Sequence, residues 1–177
     1  MSVNINSPLP SGTWTLYFHA PREKRWTLDT FQPIAKGISS VREVLAVFNE
    51  LGDKLKRGMF FCMRDPIPPL WENFQNIRGG SYSLRGGPEE GIEYYKSYIL
   101  GAMMCQAVTS SKDQIVGISI SPKIMSGPNG SQRVGFYVIK VWNKDSEMFN
   151  DPEGIHLLHP KLVRADILYT PHVDKKM

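Results

Sequence analysis

The chain lacks most of what marks a secreted, membrane-bound or metal-dependent protein. Its 177 residues include only two cysteines, Cys62 and Cys105, and four histidines. Both cysteines stand in apolar runs, which predicts two reduced, buried thiols rather than a disulfide. No signal-peptide pattern, transmembrane run or lipidation motif is visible, so a soluble protein of the cytoplasm is expected, with the nucleus also open to it. His156 and His159 offer two metal ligands, but no cysteine or acidic cluster completes a site. Gly127-Pro128-Asn129-Gly130 lacks the Gly-Lys-Ser/Thr ending with which a phosphate-binding loop grips a nucleotide. Neither cysteine has a local motif that would mark a nucleophile. The sequence therefore argues against an enzyme and implies no metal and no cofactor.

A strong charge bias is also missing. Twenty-one Lys and Arg against 17 Asp and Glu leave a net charge of +4, which leans toward an anionic partner without proving one. With 41% hydrophobic residues and no repeat or low-complexity stretch, the chain can bury one good core. Residues 1–11 are polar and proline-rich and read as a loose arm, followed by one domain over 12–172 and a tail over 173–177. Trp14, Leu16 and Phe18 alternate with Thr15 and Tyr17, which predicts a strand. Ser40-Val41-Arg42-Glu43 is a capping box, and Val41, Val44, Leu45 and Phe48 follow at helical spacing until Gly52. Met59–Met63 and Ser81–Leu84 read as short strands. Pro88 opens a second helix with an apolar stripe of Ile92, Tyr95, Ile99 and Met103. Residues 114–121, 134–142 and 161–169 are β-rich, with 122–133 as a glycine-containing loop. The expected fold is α+β, a curved antiparallel sheet with both helices on one face.

The chemistry concentrates in a Pro/Gly-bounded loop where Glu72 directly follows Trp71. An indole offers a flat π face and a carboxylate is an acceptor-only group. A guanine can stack on the first while its N1–H and N2–H₂ donate to the second. Methylation at N7 makes the base cationic and adds a cation–π contribution of about 0.5–2 kcal/mol. Trp14 falls in the strand pattern and reads as core. Trp26, Trp71 and Trp142 stand at element ends beside charged or loop residues. Singly, each fits a packing anchor as well as a ligand contact. Together they favour a stacking site.

Trp14, Trp26, Pro69-Leu70-Trp71-Glu72-Asn73, Asn76-Ile77-Arg78-Gly79-Gly80 and Val141-Trp142, in this order and with these separations, resemble the eukaryotic translation initiation factor 4E family, the mRNA cap-binding proteins. The resemblance runs from about Pro8 to Tyr169 and includes the helix beginning at Ser40. It implies helices on the convex face of the sheet and a cap slot on the concave face. It implies that Trp26 and Trp71 sandwich the 7-methylguanine, that Glu72 pairs with its N1 and N2 edge, and that Trp142 packs near the methyl group. Lys123 falls where the family places a phosphate-binding arginine, and Arg133 and Lys140 are further candidates for the triphosphate.

The resemblance also has departures. Ser81 stands where the family usually has a phosphate-holding arginine, and the longer 122–133 loop suits contact beyond the first guanine or a more heavily methylated cap. Leu45 occupies the position of the scaffold-binding tryptophan, and Ser97, Tyr98 and Gly101 replace acidic and leucine positions. Partner contact is thus expected from Pro8, Leu9, Val41, Leu45 and Tyr98, toward a 4G-type scaffold or a 4E-binding protein with an altered interface. The implied function is cap binding in translation initiation by a monomer. The alternative is a 4E-like protein–protein adaptor or repressor with weak or no cap binding.

Overall fold

Seven strands hydrogen-bond into one wholly antiparallel sheet in this computed structural model, which describes residues 4–110 and 115–173. The strands are β1 (Trp14–His19), β2 (Phe31–Ile38), β3 (Met59–Arg64), β4 (Gly80–Gly86), β5 (Ile115–Ser126), β6 (Gln132–Asn143) and β7 (Leu168–Pro171). Their spatial order is β2-β1-β3-β5-β6-β4-β7. Two helices, α1 (Val41–Leu51) and α2 (Glu90–Met103), cover one face. The fold is the curved antiparallel sheet with two helices that the sequence predicts.

The pleat sorts the side chains. On β3, Phe60 and Cys62 point into the core shared with the helices, while Phe61 and Met63 belong to a smaller cluster on the opposite face. On β6, Ile139 and Val141 face the helices, whereas Trp142 joins the smaller cluster. This is the period of two expected of a sheet with two environments.

Helix α1 begins where the capping box places it. Ser40 Oγ accepts the Glu43 N–H at 3.3 Å, and the Glu43 carboxylate accepts the N–H of Ser39, one residue before the cap, at 2.5 Å. Val44 and Phe48 are buried while Leu45 is exposed. Helix α2 buries its expected stripe and, in addition, Tyr94, Tyr98 and Ala102. Each fully buried large apolar side chain contributes about 1.5–3 kcal/mol of transfer free energy. Gly91 allows the first turn of α2 to press on the sheet, since a Cβ there would lie 2.6 Å from the Tyr137 ring.

Several expectations are corrected. The arm over 1–11 is docked from Asn4 onward. Leu9 is buried and its N–H donates to Ser39 O at 2.8 Å, and Ser11 Oγ donates to Met103 O at 2.8 Å while accepting the Trp14 indole N–H. Residues 1–3 and 174–177 lie outside the described residues, as does residue 114 at the start of one predicted strand. Strand β2 was not anticipated; it is an edge strand with most of its side chains exposed, so it has no hydrophobic alternation, and its Pro33 is tolerated at an edge. The supposed 122–133 loop is largely ladder, paired out to Ser126 opposite Gln132. Of the third β-rich region, 161–169, only Leu168 and Tyr169 pair, and the strand they open runs on to Pro171. Cys62 is buried, but Cys105 is exposed just past α2, and neither is in a disulfide.

The Gly91 contact sets two effects against each other. Alanine is the better helix former by about 0.8–1.0 kcal/mol, but its methyl group would push on a Tyr137 ring that is itself buried and anchored to Lys56 O. Overpacking of this kind costs about 1–3 kcal/mol, so Gly91→Ala is expected to lower stability in urea unfolding rather than raise it.

Candidate functional site

The face opposite the helices carries a cleft of about 330 Å³ whose lining includes Trp26, Trp71, Trp142, Phe61, Lys123 and Lys140. Its floor comes from alternate residues of β3, β5 and β6. Trp142 is only 5% exposed and donates its indole N–H to Ser119 Oγ at 3.1 Å. Its ring meets Phe61 edge-on at 6.2 Å. Trp142 is therefore a fixed part of the floor.

Trp26 forms one wall from the loop between β1 and β2. The turn is drawn tight by Glu23, whose carboxylate accepts the Arg25 N–H at 2.8 Å and pairs with its guanidinium at 3.2 Å. Those contacts hold the Glu23 carboxyl below its ordinary pKa, the side-chain bond from Arg25 acting most strongly. Thr30 Oγ1 closes the loop onto Thr27 O at 2.7 Å. Beneath the indole lies His19, fully buried and parallel to it at 4.2 Å and 2°. The His19 Nε2 faces Arg25 O at 3.0 Å, and because a carbonyl only accepts, that nitrogen carries the proton. One indole face is thus committed to His19, while 45% of Trp26 remains exposed.

Trp71 forms the other wall and is 47% exposed. Its loop is pinned at both ends. At the start, Asp65 accepts both Thr13 Oγ1 and Thr15 Oγ1 at 2.7 Å. In the middle, the buried Asn76 donates to Pro68 O at 2.9 Å and Leu70 O at 2.8 Å, bracketing the residues just before Trp71. At the far end a side chain on Gly79 would have its Cβ 1.9 Å from the Asn143 carbonyl oxygen, so glycine alone permits the chain to pass. Asn143 then accepts the Gly80 N–H at 3.1 Å and the Tyr169 hydroxyl at 2.8 Å. Glu72 projects exposed on the loop beside Trp71, at the margin of the cleft rather than in its lining.

Cations occupy the end of the cleft nearer the β5–β6 hairpin. Lys123 and Lys140 line it, together with Ser119 and Ser121. Although the residue is exposed overall, loss of hydration lowers the Lys140 pKa, and repulsion from Lys123 lowers it further. His172 lies against Trp142 at 5.1 Å, and burial first, then Lys140, pushes its pKa down to about 4. Arg133 is not brought to the cleft; it pairs with Met125 near the hairpin turn and is exposed. Ser81 is buried in β4, opposite Trp142. Among the described residues no group of His, Cys, Asp and Glu could hold a metal ion.

The expected partner residues separate. Leu45 is 45% exposed on α1, Val41 is partly buried, and Pro8 pairs with Ser40. Leu9 and Tyr98 are buried core residues and are not available for contact. Tyr98 donates its hydroxyl to His156 O at 2.6 Å, and burial raises its pKa to about 12. The residues sequence reading missed are His19, Ser119, Ser121, Phe61, Met59 and His172. The alternation of β3 and β5 points to Met59, Phe61, Ser119 and Ser121, whereas no local signal distinguishes His19.

Two indole walls, an aromatic floor and a cationic end are chemically suited to a flat, anionic molecule. The family model described as eukaryotic initiation factor 4E matches residues 10–175, and the chain belongs to that family. Eukaryotic translation initiation factor 4E of Dictyostelium discoideum is 28% identical over 178 aligned positions, covering 96% of this chain and 66% of its own length. The chain thus spans slightly less than two thirds of that relative. Among solved structures, Ascaris suum eIF4E-3 with an m2,2,7G cap superposes with a TM-score of 0.68 at 16% identity, covering 97% of this chain and 94% of the other. C. elegans eIF4E-3 with the 4E-binding protein Mextli and a cap analog gives 0.64 at 15% identity, covering 81% and 77%. At these identities the likeness shows the shared fold.

The His172 environment has a measurable consequence. The folded protein resists protonating this ring, so the stability held by its neutral form is complete above pH 6.5, the ordinary value, and drains away as the pH falls toward 4. The loss is on the order of 2 kcal/mol. Urea unfolding of wild type and His172→Gln across this range is expected to diverge in slope, with the wild type losing more on acidification.

Proposed function

We propose that this chain binds the 7-methylguanosine 5′ cap of mRNA and acts in translation initiation. The observation that carries the reading is the pair of half-exposed indoles, Trp26 and Trp71, on opposite walls of a cleft whose far end holds Lys123 and Lys140. The methylated base stacks between the open face of Trp26 and the Trp71 ring, each contact contributing about 1–3 kcal/mol. Its positive charge adds a cation–π contribution that unmethylated guanine lacks. Glu72 turns its carboxylate to the N1–H and N2–H₂ donors once a base is present. Lys123 and Lys140 take the triphosphate, whose charge offsets the repulsion between them.

Ascaris suum eIF4E-3 in its complex with an m2,2,7G cap supports extending the reading to a more heavily methylated cap. The C. elegans complex with the 4E-binding protein Mextli supports a 4E-binding protein as partner, and we place that contact on the α1 face, where Leu45 is the exposed apolar residue. We place the protein in the cytoplasm, as a monomeric factor that works by binding and carries out no chemistry.

Retention on a 7-methylguanosine resin tests the site. Trp71→Ala and Glu72→Ala are each expected to abolish it while leaving the unfolding midpoint near wild type. Tryptophan quenching by 7-methyl-GTP should be saturable, with GTP weaker by about 2- to 30-fold, as loss of a cation–π contribution of about 0.5–2 kcal/mol gives. Equal affinity for the two nucleotides would overturn the stacking account. Absence of binding with intact association to a helical partner would favour the adaptor.

A further inference from the structure

The face that carries the cleft continues sideways from its cationic end, across β6 onto β4. In the β5–β6 ladder Phe136 is the partner of Lys123, and in the β4–β6 ladder Arg85 is the partner of Val138. Ser81, Ser83 and Arg85 lie opposite Trp142, Lys140 and Val138 respectively, so Arg85 emerges on the same face as the cleft. Its guanidinium carbon lies 4.3 Å over the centre of the Phe136 ring. Arg85 is exposed and Phe136 is partly buried beneath it. Among the described residues no carboxylate forms an ion pair with Arg85. Next to Ser83 on the outer side, Leu168 of β7 is 66% exposed and gives the patch an apolar margin.

We infer that Arg85 and Phe136 form a stacking platform for the base of a nucleotide that follows the cap guanosine, so that the chain grips capped RNA rather than the cap alone. The inference rests on the cap-binding reading above. A planar guanidinium backed by an aromatic ring is held flat and presents one open face, and such a plane stacks on a nucleobase while its edge N–H groups reach a phosphate. The platform sits beside the cationic end of the cleft. A base between Trp26 and Trp71 directs its phosphates to Lys123 and Lys140, and the register puts Arg85 two strands across from Ser121, in the row between the two lysines and about 10 Å to one side, a distance one nucleotide spans. Stacking is tolerant of base identity because every base has a π face, so the platform adds affinity for any sequence. A cation–π pair that served stability alone would not alter the affinity for longer ligands.

The test compares 7-methyl-GTP with a capped tetranucleotide, each titrated against the full chain by tryptophan quenching. Wild type is expected to bind the tetranucleotide on the order of tenfold more tightly. Arg85→Ala and Phe136→Leu should remove that gain and leave 7-methyl-GTP affinity unchanged. Arg85→Lys keeps the charge but not the plane, so it should retain the salt dependence of the gain and lose most of its size. Arg85 is exposed, so its variants report even where Phe136→Leu disrupts the β5–β6 hairpin. Wild type that binds 7-methyl-GTP with no gain from added nucleotides overturns the platform alone, as does a full gain in Arg85→Ala. Failure of 7-methyl-GTP to bind overturns the cap reading and the platform with it.

Discussion

The pleat of the central strands is the constraint on which the rest of this protein depends. Successive residues of β3, β5 and β6 must point to opposite faces, so each of these strands builds the core and the cleft at once. Phe60 is locked under the helices while its neighbour Phe61 supports the cleft floor; Val141 and Trp142 divide in the same way. Phe61 meets Phe31 edge-on at 5.1 Å and Trp142 edge-on at 6.2 Å, which makes a second small core on the cleft side. The floor is rigid because it is packed from behind by one core and within its own layer by the other. A shift of register by one residue in any of these strands would exchange the two faces, so the fold cannot keep its core without also keeping its floor.

The walls follow a different principle. Trp26 and Trp71 project from loops, which the sheet alone cannot hold still. Each loop is stabilised by buried polar groups that bond to backbone: His19 under Trp26, and Asn76 with Asn143 behind Trp71. Such contacts are directional, and an unpaired buried amide is costly, so these side chains fix loop shape more sharply than apolar packing would. The two indoles are held about half-exposed by this means, so the cleft keeps two flat aromatic faces in place, the preorganisation that the proposed stacking would use.

What was legible in the sequence divides along the same line. The cap of α1, the α2 stripe, β1, β3 and the Trp71-Glu72 pair all carry local signals, periodicity or capping chemistry that act over a few residues. Strand β2 was hidden because an edge strand with exposed side chains needs no alternation, and a proline such as Pro33 gives no strand signal. The extension of β5 was hidden because Pro122 and Gly127 look like a turn, yet the ladder with β6 supplies partners for the chain on either side. Tyr98 was misplaced because its burial depends on a segment far away in sequence: the His156 carbonyl takes its hydroxyl from 58 positions on. Leu9 was misplaced for a related reason, since the arm is tied to Ser39 and to the end of α2 by bonds that no window of sequence displays.

The electrostatics of the cleft bear on what sort of ligand would complete it. Lys140 is held below its ordinary pKa first by loss of hydration and then by Lys123, so two lysines share one end of a cleft with no carboxylate among its described lining residues. Charges of one sign brought together and partly dehydrated destabilise the fold that holds them. Nothing in packing requires two lysines there, since the floor is already built by Phe61 and Trp142. A surface that served only a protein partner through α1 would gain stability by replacing either one. Their presence beside two half-exposed indoles suits the proposed ligand, which supplies several negative charges together with a flat ring and would relieve the repulsion on binding.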